Sequence, residues 1–169
     1  LFLTMLIDHV RYRGVCRTGR ATLLLRWAEA KILRDVQSGR IGITGSPEAP
    51  DATTEIAIVA MGLAAVAMTS IEEGRLLIMP DCPLEPLLSE DPRIARLTDP
   101  AGLFLNSLLL PLPRQSKLQP RRIRFAHRAF QEFFLAANIA RNSAAFRSTS
   151  LPAEIGAWIA AIEEEKLLG

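Results

Sequence analysis

The chain has 169 residues, enough for one domain or two small ones. Hydrophobic residues make up 49% and charged residues 22%, a balance that belongs to a globular and not a disordered chain. The formal net charge of +2 is too small to imply a nucleic-acid partner by itself, and the two distant cysteines, Cys16 and Cys82, argue against a disulfide framework or a metal site and for a reducing cytosol.

Residues 1–13 read as a helix with Leu3, Leu6, Ile7 and Val10 on one face. The apolar run comes before the charges, the reverse of a secretory leader. Its abrupt start leads us to expect a piece of a longer protein. Residues 20–36 read as a second helix. Leu25, Ala28, Ile32 and Val36 form its stripe, Leu24 and Trp27 widen it, and Gly39 suits its C-terminal cap. "GITGSPEAPD", residues 42–51, reads as a linker. Thr53 or Thr54 is then expected to cap a helix over 55–69. Its apolar run is shorter than the about 20 residues that span a bilayer, so it reads as buried. Its many small side chains, Ala57, Ala60 and Gly62 among them, would let neighbouring helices approach closely.

An extended piece at 76–79 and short helices over 84–88 and 92–97 follow. Asp99 and Pro100 open a further helix to about residue 107. Residues 108–112 and 122–125 have strand character, and Pro111 and Pro113 confine the first to a sheet edge. A helix over 128–141 carries Phe130, Phe133, Phe134 and Ala137 at core spacing. A last helix, 152–168, presents Ile155, Trp158, Ile159 and Ile162. The expected fold class is mainly α (α+β). A helical segment (1–38) and a linker (39–52) precede a region (53–142) with the content of a winged helix, small helices followed by a β-hairpin wing. Residues 143–169 form a loop and the start of a C-terminal helical region.

The chain carries no GxxxxGK[ST] loop, GxGxxG, HExxH, GxSxG or Cys/His ligand set. No catalytic site and no metal site is therefore expected within it. His127, one of two histidines, stands where "RRIRFA" gives way to a helix. Continued strand alternation would put Ile123, Phe125 and His127 on one inward face, with Arg122, Arg124 and Ala126 on the other. A helix start favours anions, so the imidazole there is a candidate donor to a phosphate. The other reading is a core histidine bonded to a backbone carbonyl, which physics alone favours.

"FAHRAFQEFFLAA" resembles the signature F-x-H-x-[TS]-F-Q-E-[FY]-[FL]-A-A that ends the winged-helix region of NACHT-type STAND NTPases. Phe125, His127, Phe130, Gln131, Glu132, Phe133 and Ala136 match it. Ala129 and Leu135 depart from it. Leu3, Met5, Leu6, Arg20, Leu24 and Leu33 are similar to the helical segment that follows the nucleotide-binding core of the same family. The resemblance implies a switch module without its own catalytic site. It implies that His127 contacts the phosphate of bound ADP, and that the module holds the resting state until exchange for ATP permits homo-oligomerisation. The ATP or ADP, with Mg, would be held mainly by the protein's own upstream NTPase core, and the setting would be cytoplasmic defence or signalling.

Two other functions stay open on sequence. One is a DNA-binding winged-helix regulator, with residues 100–107 as recognition helix. That helix carries no Lys or Arg, which argues against nucleic acid as a partner, although Arg114, Lys117, Arg121 and Arg122 lie in the wing. The other is a purely structural helical adaptor.

Overall fold

A computed structural model describes residue 7 and residues 19–39, 50–90, 92, 108–114 and 116–167. Apart from Ile7 and Pro92, the helices expected over 1–13, 92–97 and 100–107 lie outside the described residues, as do His9, Cys16 and most of the linker. The described chain is mainly helical with two small antiparallel sheets, an α+β arrangement.

Helix α1 (Arg20–Gln37) buries Ala21, Leu24, Ala28 and Ile32, with Leu23 and Asp35 beside them. The expected Leu25 and Val36 are only half-buried, so the inward face is turned from the one read off the sequence. Three consecutive leucines, Leu23–Leu25 in the numbering of the chain, leave the phase of the pattern open, and packing against two neighbouring helices decides it. The helix ends as expected. Ser38 donates its N–H to the Arg34 carbonyl (3.0 Å), Gly39 donates to Val36 (3.0 Å), and Gly39 takes the positive φ of +73° that suits glycine.

The start of α1 has no cap of its own, because Gly19 has no side chain to offer. A residue far along the chain supplies one. The Glu165 carboxylate accepts from the N–H of Ala21 (3.2 Å), the N–H of Thr22 (2.7 Å) and the Thr22 hydroxyl (2.6 Å). A negative charge at this end also meets the positive pole of the helix. Beside it, Arg20 donates to the Ala157 carbonyl (2.8 Å) and lies over the Trp158 ring, 4.6 Å from its centroid. A β-carbon at position 19 would run into the Glu165 carboxylate.

Helix α2 (Pro50–Ala67) begins earlier than Thr53 or Thr54 would have it. Proline's fixed φ suits a first helical position, and that signal outweighs the threonines. Thr53 is instead buried inside the helix. Ala57, Ala60, Ala64 and Ala65 are fully buried, in line with close helix approach. The helix also ends earlier than residue 69. Strands β1 (Thr69–Glu72) and β2 (Arg75–Ile78) form an antiparallel hairpin that the sequence reading missed in its first half. Its turn is Glu73–Gly74, both at positive φ (50° and 74°), the geometry of a two-residue hairpin loop.

The second sheet has three strands in the order β3 (Cys82–Pro83), β5 (Arg122–Phe125), β4 (Leu109–Pro111). As expected, proline-bearing β4 is an edge strand, paired Leu109 to Phe125 and Pro111 to Ile123. Between β3 and β4 the short helix α3 (Leu84–Glu90) buries Leu84 and Leu87. Helix α4 (Arg128–Arg141) follows β5 directly, then a 3-10 turn (Ser143–Phe146) and helix α5 (Ala153–Glu164). In α5 Ile155, Trp158 and Ile162 are buried and Ile159 half-buried.

Helices α1, α2, α4 and α5 share one core. Phe130 stacks on Trp27 at 5.3 Å, and Phe133 meets Trp158 edge-on at 5.6 Å. Among the described residues no helix is long and apolar enough to cross a membrane. Truncating the Phe130 ring, 2% exposed, by Phe130→Ala is expected to cost about 3–5 kcal/mol in urea unfolding. Glu165→Ala removes a cap and three accepted hydrogen bonds. It is expected to cost about 1–3 kcal/mol in the same measurement, although Glu165 lies outside any regular element.

Candidate functional site

Strand β5 places Ile123 and Phe125 inward and Arg122 and Arg124 outward. The strand stops at Phe125, and the backbone bends at Ala126 and His127. Alternation therefore does not reach His127, and the inward position expected for it is corrected: the side chain is exposed. It is also not a core histidine bonded to a carbonyl. His127 is the N-cap of α4, with extended backbone (φ −145°, ψ 138°), and its Nδ1 accepts the Ala129 N–H at 3.1 Å. The His127 carbonyl accepts the Phe130 N–H at 3.1 Å. Two of the first amide groups of the helix are thus satisfied by His127 itself.

This geometry sets the tautomer. An Nδ1 that accepts a hydrogen bond has no proton in the neutral ring, so the proton is on Nε2. The exposed imidazole presents one N–H donor, held in place by the cap. Of the outward-facing basic residues nearby, Arg124 forms no ion pair among the described residues. Arg128 is engaged instead by Glu132 one turn on (2.7 Å), and this hydrogen bond raises the pKa of the guanidinium.

The signature residues around His127 have other tasks. Phe130, Phe133 and Phe134 are core. Gln131 is 5% exposed and donates through Nε2 to the Met79 carbonyl at 2.7 Å, which fastens the chain just after the β1–β2 hairpin to α4. Sequence reasoning assigned Gln131 no role. The signal for it was an amide set among the phenylalanines of a helix that is apolar on most sides.

The β4–β5 hairpin is less basic than its sequence. Arg121 donates to Glu85 (2.9 Å), which holds the Glu85 carboxyl below its ordinary pKa, and Arg122 pairs with Asp81. Arg114 and Lys117 have no ion pair among the described residues. Comparison with protein-family models, with curated proteins and with solved structures finds no match to this chain.

Cys82, on β3, is 2% exposed, and burial pushes its thiol up to about 11. At pH 8 its thiolate is then about a thousandth of the total. Iodoacetamide at pH 8 is expected to label the Cys82 peptide at least about tenfold more slowly in the folded chain than in urea, as read by mass spectrometry.

Proposed function

We propose that this chain is the helical and winged-helix part of a NACHT-type STAND NTPase, a nucleotide-dependent switch in cytoplasmic defence or signalling. Its task is to hold the ADP-bound resting state against the protein's own upstream core and to permit oligomerisation on exchange for ATP. One observation carries the reading: the signature histidine is exposed, with Nδ1 committed to the helix cap and Nε2–H left to face a ligand. A phosphate oxygen accepts such a donor, and Arg124 on the preceding strand, without an ion pair among the described residues, adds positive charge. These residues form one wall of a site. The phosphates and Mg would be held mainly by groups upstream.

The sheet supports the same reading. A short strand (β3) precedes a helix and then pairs with the returning strand of a terminal hairpin, in the order β3-β5-β4, as in a winged helix. The ion pairs at Arg121 and Arg122 neutralise two wing cations and weigh against DNA.

The cap makes a discriminating pair of variants available. In the full-length protein, His127→Ala is expected to lose both the cap and the donor. It should release fluorescent ADP faster, raise basal activity and lower stability by about 1 kcal/mol. Asparagine is a good N-cap with a shorter reach, so His127→Asn is expected to keep stability yet release ADP faster. ADP release from His127→Asn at the wild-type rate would leave His127 as a cap alone and remove the nucleotide role.

A further inference from the structure

The loop that joins β4 to β5 carries apolar surface at its tip and no acidic residue. We propose that this tip docks on an anionic lipid surface, with Leu118 entering the bilayer interface between flanking cations. Leu118 is 96% exposed, the most exposed large apolar side chain among the described residues. A folded turn presents it. The Leu118 N–H donates to the Ser116 hydroxyl (3.2 Å), and the Gln119 N–H donates to the Ser116 carbonyl (3.2 Å). Behind the turn the Leu112 N–H donates to the Arg122 carbonyl (2.9 Å), which carries the β4–β5 pairing past Pro111. Pro113 and Pro120 are also exposed, and both line one hollow behind the turn. The loop is thus a narrow, braced arm with apolar side chains at its end that the described core does not cover.

The charge of the arm is of one sign. Between Asp99 and Glu132 the chain has six basic residues and no acidic one. Arg121 and Arg122 are offset by Glu85 and Asp81. Arg114 and Lys117, on the loop itself, are exposed and form no ion pair among the described residues. A lone exposed leucine is ordinary, and so is a lone exposed cation. Their combination on one projecting turn selects the partner. Nucleic-acid phosphates would satisfy the cations yet offer Leu118 no apolar surface along the backbone. A bilayer interface offers both within the reach of one turn: anionic headgroups for Arg114 and Lys117, and acyl chains below them for Leu118. The long stems of Arg and Lys keep their heads at the phosphate level as the tip enters. One leucine and two cations make a weak, reversible and salt-sensitive contact. The tip precedes β5 and His127 follows it, so this surface does not depend on the nucleotide reading.

The test is co-sedimentation of the 169-residue chain with phosphatidylcholine vesicles, with and without about 30% phosphatidylserine, at about 0.1 M salt. Partition is expected to be at least about tenfold higher on the anionic vesicles and to fall steeply with added salt. Lys117→Gln should lower it about fivefold, the effect of one cation near the surface. Leu118→Ser should lower it about tenfold without changing the net charge. Leu118→Trp bound to vesicles of brominated lipid should be quenched beyond the two native tryptophans of the parent chain. Equal partition on neutral and anionic vesicles overturns the proposal. So does partition unchanged in Leu118→Ser, or no added quenching in Leu118→Trp, since adsorption would then be electrostatic and elsewhere. Duplex DNA that binds at the same salt more tightly than the vesicles, and equally in Leu118→Ser, would assign the cations to nucleic acid and overturn it as well.

Discussion

Helix α4 is buried on almost every side, and the rest of the fold is arranged to supply its partners. Ala129, Phe130, Gln131, Phe133, Phe134, Leu135, Ala136 and Ile139 are all buried, a distribution wider than one helical stripe. Such a helix needs neighbours all round. Trp27 of α1 meets Phe130, Trp158 of α5 meets Phe133, and Phe125 of β5 meets Phe134. Each ring contact joins α4 to a different element, so α1, β5 and α5 are oriented through it. The buried Gln131 follows the rule that an interior amide needs a partner, and the Met79 carbonyl supplies it.

Around that helix, polar side chains and backbone groups close the structure over long sequence distances. Glu165 caps α1, 143 or 144 residues away along the chain. Ser150 exchanges backbone bonds with the first hairpin, accepting from Leu76 (2.9 Å) and donating to Gly74 (2.7 Å). In each case a backbone group that its own element leaves unpaired finds its partner elsewhere. The start of α1 at Gly19–Arg20 and the end of the described chain at α5 therefore meet through Ala157, Trp158 and Glu165. A movement of α1 relative to α5 would have to break the carboxylate cap and the Arg20 contacts together.

What was legible in the chain was local. The helices near 20–36 and 128–141, the glycine at the end of α1 and the edge position of β4 all rest on signals within a few residues of the feature. Where the reading failed, a competing local signal or a distant partner decided. Pro50 took the helix start from Thr53 and Thr54. Glu73, an uncommon residue for positive φ, masked a two-residue turn that Gly74 alone could have marked. Period two placed His127 inward, but a strand that ends at Phe125 no longer alternates. Glu165 belongs to the acidic run Glu163–Glu165, which by sequence reads as solvated helix surface. Its carboxylate gains a partner only once α5 lies beside α1, a fact of tertiary structure with no local trace.

The position of His127 acquires its meaning from the same arrangement. The NACHT-type signature that this stretch resembles carries Thr or Ser where this chain has Ala129, and here the imidazole itself supplies the cap, one position before the helix begins. One ring then joins two tasks: its Nδ1 holds the first turn of α4, and its Nε2 faces outward. The first turn so held contains Phe130, whose ring lies on Trp27 of α1. In the proposed switch, a phosphate at Nε2 would fix the rotamer that the cap requires, and the cap in turn would keep the donor aimed. The two interactions support each other without any further contact. Contiguity alone does not make that path a switch, because coupling needs two discrete arrangements that the ligand can tell apart. The β5–α4 junction is the place to look for the second, since there the chain leaves the sheet, bends over two residues and enters the core helix.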